Sequence, residues 1–291
     1  MIAGDRRPVP TTVAHTPLPQ DCEAVSYAYG PDSEPRRGVL PGTIERFVLD
    51  ESVRYPGTHR TVWVHRPAGH DPDVESAVLF CNDGWWYLDP DGAVRAGTVL
   101  DNLAAAGELP PLVSVFVDPG VIDVDGVPTK HRNAEYDAFD DTYGSFLLEE
   151  VLPLVAARSA VATDPMRRAV CGGSSGGNAA FTAAWCRPDG IGRVIAFNAS
   201  FAQMPGGNPY PALLAAGARP GSRFFLQAAH RDLGWNEREM NWFAENLETT
   251  AALVRAGQDV RLVVGDGGHS PNHGGVLLPD ALRWIWTDPV D

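Results

Sequence analysis

The chain has 291 residues, a hydrophobic content of 44% and a formal net charge of -14 at pH 7. That length and apolar fraction fit one large core, and a single α/β domain better than two small ones. The excess of acid repels phosphate backbones and anionic lipid surfaces, which argues against nucleic acid and membranes as partners.

The segment Met1 to Pro8 carries no apolar stretch of the kind a secretory signal needs, and no later run is long enough to span a bilayer, so a cytoplasmic protein is expected. Residues 1–40, rich in proline and polar side chains, read as an irregular arm or cap, and residues 41–291 as the folded domain. Thr43–Leu49 and Arg60–Arg66 alternate as half-exposed strands around a turn at Tyr55–Thr58, an antiparallel entry to a sheet. Ala77–Cys81 and Leu112–Val117 are continuously apolar, as strands covered on both faces should be. Helices are expected at Val94–Ala106 and at Tyr143–Ala157, where Pro153 introduces a kink. The strand Arg168–Cys171, a helix near Asn178–Cys186 and the strand Val194–Phe197 follow. Strands at Arg223–Ala228 and Val260–Val264, with helices at Glu237–Ala256 and Leu278–Trp286, complete a doubly wound, mostly parallel sheet.

The cysteines at 22, 81, 171 and 186 lack metal-ligand spacing and read as buried thiols, and His59, His65 and His70 lack a nearby ligand set. No metal and no cofactor is therefore expected. The segment Gly172-Gly173-Ser174-Ser175-Gly176-Gly177 is more informative, because it joins an apolar strand to a helix through the pattern G-x-S-x-G. This pattern sets a serine on a sharp turn whose crowding admits only small neighbours, with the helix N-terminus aimed at any negative charge that develops there. Such a site suits acyl transfer. The pattern also fits one residue later, on Ser175; Ser174 is preferred because Ser175 then offers the first N–H of an oxyanion hole.

A serine nucleophile needs a histidine base and a carboxylate to orient it. Asp232 directly follows the strand Arg223–Ala228, and His269 follows the strand Val260–Val264 on a glycine-rich loop, which gives the order serine, acid, histidine. Asp266, Glu237 and Glu239 are substitutes for the acid, and His273 is a rival base. The loop after Ala77–Cys81 offers the second oxyanion donor, the N–H of Gly84 or Trp85, and Trp85 and Trp86 read as core or as a substrate wall. Arg132 and Glu135, in the loop beyond Leu112–Val117, read as a mutual ion pair or as substrate contacts.

Taken with Tyr55-Pro56-Gly57-Thr58, Asp83-Gly84, Arg132-Asn133-Ala134-Glu135-Tyr136-Asp137, Arg231-Asp232-Leu233, Gly267-Gly268-His269 and the ending Leu278 to Trp284, these motifs resemble the esterase branch of the α/β-hydrolases over residues 42–286. That group contains enterochelin (enterobactin) esterases, feruloyl esterases, S-formylglutathione hydrolases and mycolyltransferases, and the resemblance is closest to enterochelin-esterase-like proteins. It implies an α/β-hydrolase catalytic domain, Ser174 as nucleophile and His269 as base. Two departures are Ser175, where bulkier residues are common, and the lack of an evident cationic cluster for an anionic iron-siderophore complex. The expected activity is hydrolysis of a small-molecule carboxylic ester or lactone through an acyl-enzyme. An acyltransferase using the same intermediate, or a silent hydrolase fold kept for binding, would share these residues.

Overall fold

The structure, a computed structural model, describes residues 25–217 and 222–287. The first 24 residues of the expected arm and Cys22 lie outside the described residues. An eight-stranded sheet forms the centre. It opens with β1 (Thr43–Leu49) and β2 (Arg60–Arg66), paired antiparallel, as their alternation predicts. Next come β3 (Ala77–Asn82), the short helix α1 (Gly84–Leu88), α2 (Ala96–Ala105) and β4 (Leu112–Val117). The exposed hairpin of β5 (Val121–Val124) and β6 (Val127–Lys130) leads into α3 (Arg132–Tyr136).

After α4 (Thr142–Phe146) the backbone makes a π-helical turn at Leu147–Val151 and continues as α5 (Leu152–Ala156). Pro153 has no N–H and clashes with the carbonyl four residues back, so a widened turn before it accommodates the ring. The rest follows as β7 (Arg168–Gly173), α6 (Ser175–Cys186), β8 (Arg193–Phe197), α7 (Tyr210–Ala216), β9 (Arg223–Ala229), α8 (Trp242–Arg255), β10 (Asp259–Gly265) and α9 (Pro271–Trp286).

The order across the sheet is β1-β2-β4-β3-β7-β8-β9-β10, with β2 antiparallel to β4 and every pair from β4 to β10 parallel. Side chains of the central strands alternate between two cores, which explains their unbroken apolar sequence. Val78 and Phe80 of β3 join the core under α4 to α8, whereas Ala77, Leu79 and Cys81 join the one under α1, α2 and α9. Cys81 and Cys171 are buried free thiols in neighbouring register, and Cys186 is partly buried.

Several boundaries differ from the sequence expectation. α8 begins at Trp242 in place of Glu237, because Asn241 caps it by accepting from the N–H of Ala244 at 2.9 Å. α9 begins at Pro271, two turns before Leu278, and so carries His273. The loops expected after Ala77–Cys81 and beyond Leu112–Val117 contain the short helices α1 and α3, and the hairpin β5–β6 and α7 add elements for which the sequence reading had no expectation. Residues 25–40 pack on the domain through side chains: Asn102 donates to the carbonyls of Asp32 and Glu34, and Arg283 reaches Asp32 at 2.8 Å.

Candidate active site

All parallel strands present their carboxyl ends to one edge, and the loops from β3, β4, β7, β9 and β10 converge there. Ser174 caps α6 at φ 59° and ψ -131°, a strained conformation for a residue with a Cβ, and its N–H donates to the carbonyl of Phe197 at 2.9 Å. The turn requires glycine at 172, since a Cβ there would lie 2.2 Å from the carbonyl oxygen of Gly176. Asn82 ties the first turn of α6 to β3 by donating to that same carbonyl at 2.7 Å.

The Ser174 Oγ lies 3.1 Å from His269 Nε2, and His269 Nδ1 lies 2.6 Å from Asp232 Oδ1. A neutral imidazole whose Nδ1–H donates to Asp232 leaves Nε2 to accept from the serine hydroxyl. Asp232 is fully buried, and its Oδ1 also accepts from the N–H of Leu233 at 2.8 Å. Trp242 meets the His269 ring edge-on, with centroids 4.8 Å apart, and so limits its rotation. A hydroxyl, an imidazole and a carboxylate therefore stand in one hydrogen-bonded line.

The alternatives are occupied elsewhere. Ser175 Oγ is buried and donates to Asp137 Oδ2 at 2.9 Å, which turns it away from any substrate. His273 stacks on Tyr27 and accepts at Nδ1 from Gln227 at 2.8 Å, and burial lowers its pKa, so it stays neutral within α9. Asp266 is exposed beside His230 at 3.8 Å, and Glu237 and Glu239 are exposed in the loop before α8.

The oxyanion candidates divide. Among the described residues no acceptor engages the N–H of Ser175 or of Gly84. The N–H of Trp85 donates to Asp118 Oδ1 at 3.2 Å, which corrects its candidacy as a second donor. Burial pushes the Asp118 carboxyl above the usual carboxylate range, partly offset by that N–H.

Arg132 and Glu135 do not pair with each other. Arg132 makes a two-pronged bond to Asp83, 2.6 Å from Nε and 2.8 Å from Nη2, and its Nη2 also donates to the carbonyl of Gly173 at 3.3 Å. Burial opposes the Arg132 charge, but the bonds to Asp83 outweigh it and raise its pKa further. Glu135 accepts from Arg60 at 2.7 and 2.9 Å, with both side chains 0% exposed, so it lies beyond the reach of a substrate. Arg60 also lies over the Phe146 ring at 4.3 Å. Glu135→Ala is expected to destabilise the fold by about 3–5 kcal/mol, because Arg60 would remain buried without its partner. Urea denaturation checks this, and a loss below about 1 kcal/mol would be that of a surface pair instead.

Sequence reasoning missed Asp137 as a hub, since only the fold brings it to Ser175, to Ser200 Oγ at 2.6 Å and to Asn133 Nδ2 at 2.9 Å. It also missed Tyr27 and Tyr29, which no local pattern marks. Trp85 and Trp86 are both partly exposed, and Trp86 borders a small apolar cavity beside Ser174. A wider groove lined by Leu214, Leu247 and Ala251 shares no residue with this site. Among the described residues no group of three His, Cys, Asp or Glu side chains could hold a metal, and no helix is long and apolar enough to cross a membrane.

Residues 53–274 match the family described as Putative esterase. The chain belongs to that family. It is 28% identical over 264 residues to the iron(III) enterobactin esterase of Dickeya dadantii, covering 85% of this chain and 56% of that protein. The chain thus spans little more than half the length of this relative. The enterobactin esterase of Shigella flexneri, solved with 2,3-dihydroxy-N-benzoyl-serine, superposes with a TM-score of 0.70 at 23% identity, over 87% of this chain and 61% of that one. The feruloyl esterase module of Clostridium thermocellum, solved as an S954A mutant with sinapinate, gives 0.63 at 16% identity, over 91% and 95%. These superpositions establish the α/β-hydrolase fold, with its antiparallel N-terminal strands, and the family match and the Dickeya relative bear out the resemblance to enterochelin-esterase-like proteins.

Proposed function

We propose that this member of the esterase family is a metal-independent serine hydrolase that cleaves a small-molecule carboxylic ester, open-chain or lactone, through an acyl-enzyme. The observation that carries the reading is the line from Ser174 Oγ through His269 to the buried Asp232, at 3.1 and 2.6 Å. In this mechanism His269 Nε2 takes the Ser174 proton as Oγ attacks the ester carbonyl, and Asp232 stabilises the imidazolium. The N–H groups of Ser175 and Gly84 donate to the developing oxyanion at the N-terminus of α6. Collapse of the tetrahedral intermediate returns the proton to the leaving alcohol. Water, activated by His269, then releases the acid and restores Ser174.

The two-pronged contact of Arg132 with Asp83 fits a clamp that holds the Gly84 loop against the elbow, which gives Arg132 a positioning role. Trp85 and Trp86, half-exposed at the mouth, supply apolar surface for the substrate. Residues 25–40 then act as an arm on the catalytic domain that begins at residue 41.

A fluorophosphonate probe tests the reading. It is expected to form a covalent adduct found by mass spectrometry on the Ser174 peptide, with loss of p-nitrophenyl acetate turnover in proportion to labelling. An unlabelled Ser174 under conditions that label a control esterase would refute the mechanism.

A further inference from the structure

The cavity beside Ser174 has a volume of about 60 Å³ and is lined by Trp86, Tyr87, Val94, Phe197, His269 and Pro271 among others. An enclosed apolar cavity of about 150 Å³ takes up benzene. The space next to the reacting serine is less than half of that, a size that matches a few methylenes better than an aromatic ring.

Its walls are fixed from behind. Tyr87 and Phe197 are buried, and Phe197 packs so closely on α9 that a Cβ at Gly274 would lie 2.6 Å from its Cδ2. Tyr29, from the N-terminal segment, ties together the chain next to two of the walls. Its hydroxyl donates to the carbonyl of Ala93 at 2.6 Å and accepts from Asn272 Nδ2 at 2.8 Å, so the neighbours Val94 and Pro271 are held together. Arg95 covers the Tyr29 ring at 3.9 Å. Widening the cavity through these walls breaks hydrogen bonds and close packing. Trp86 is the aromatic wall that faces solvent, at 46% exposed.

We propose that this cavity is a subsite for one short aliphatic arm of the ester, of about two to four carbons, and that it rejects an aryl arm. The proposal rests on the serine-esterase reading and narrows its substrate class. The arm is either the acyl chain or the alkyl chain of the alcohol, and the experiment separates the two.

One series varies the acid in p-nitrophenyl acetate, butyrate, octanoate and benzoate. The other varies the alcohol in the acetates of methanol, 1-propanol, 1-hexanol and benzyl alcohol, followed by acid release. In one of the two series kcat/KM is expected to fall at least about tenfold from the short members to the aryl member, the scale of a misfit in an apolar pocket. Trp86→Ala, a change at a half-exposed position, is expected to recover most of that loss for the aryl member. Tyr29→Phe keeps the ring and removes both hydrogen bonds, and should recover part of it. The series that shows the fall identifies the arm. Flat profiles in both series, or a preference for the aryl member, overturn the subsite while fluorophosphonate labelling of Ser174 leaves the esterase reading standing. Absence of that labelling overturns the esterase reading and the subsite with it.

Discussion

Ser174→Ala is expected to lower kcat for p-nitrophenyl acetate by roughly 10⁴–10⁶-fold, while Ser175→Ala stays within about tenfold of the parent. The difference lies in where the two hydroxyls point, since the backbone N–H of residue 175 survives either substitution. Ser174 Oγ faces His269 at 3.1 Å, whereas Ser175 Oγ donates to Asp137, which keeps Ser200 and Asn133 when Ser175 is truncated. Ser175→Ala should instead appear in stability, as a loss of about 1–2 kcal/mol for one hydrogen bond to a buried carboxylate. Steady-state kinetics with urea denaturation of both variants separates the roles. An inactive Ser175→Ala beside an active Ser174→Ala would move the nucleophile by one residue and undo the oxyanion assignment.

The strand framework was legible because its physics is local. The unbroken apolar runs of β3 and β4 report burial on both faces, and the alternation of β1 and β2 reports strands with one face less covered than the other. The order of Ser174, Asp232 and His269 was legible because each lies at the carboxyl end of a strand, where a parallel sheet gathers its loops. What stayed hidden depends on contacts between distant segments. Arg132 and Glu135 are three residues apart, and nothing nearby reveals that one reaches back to Asp83 and the other to Arg60. The start of α9 was misplaced because Pro271, Gly274 and Gly275 read as loop, although proline suits a first helical turn and glycine lets Phe197 approach. The N-terminal segment carries only a proline-rich composition in sequence, yet Tyr29 meets Ala93 and Asn272 across the fold.

Asp232→Asn is expected to lower kcat by about 10⁴-fold with little change in fold, the size of effect that loss of the carboxylate has in a Ser-His-Asp triad. The buried carboxylate accepts from His269 Nδ1 at 2.6 Å, which fixes the tautomer with Nε2 free to take the serine proton. An asparagine in the same place can turn its NH₂ group toward Nδ1, which then accepts, leaving Nε2 protonated and unable to act as a base. It also removes the buried negative charge that stabilises the imidazolium. Asp266→Asn is the matched control: that carboxylate is 54% exposed and reaches His230 only at 3.8 Å, so its loss should leave kcat within about twofold, as for other weak surface ion pairs. If Asp266→Asn lost activity and Asp232→Asn kept it, the acid would be misassigned. If both stayed active, Ser174 and His269 would act as a dyad, with Asp232 reduced to a structural anchor for the loop that begins at Leu233.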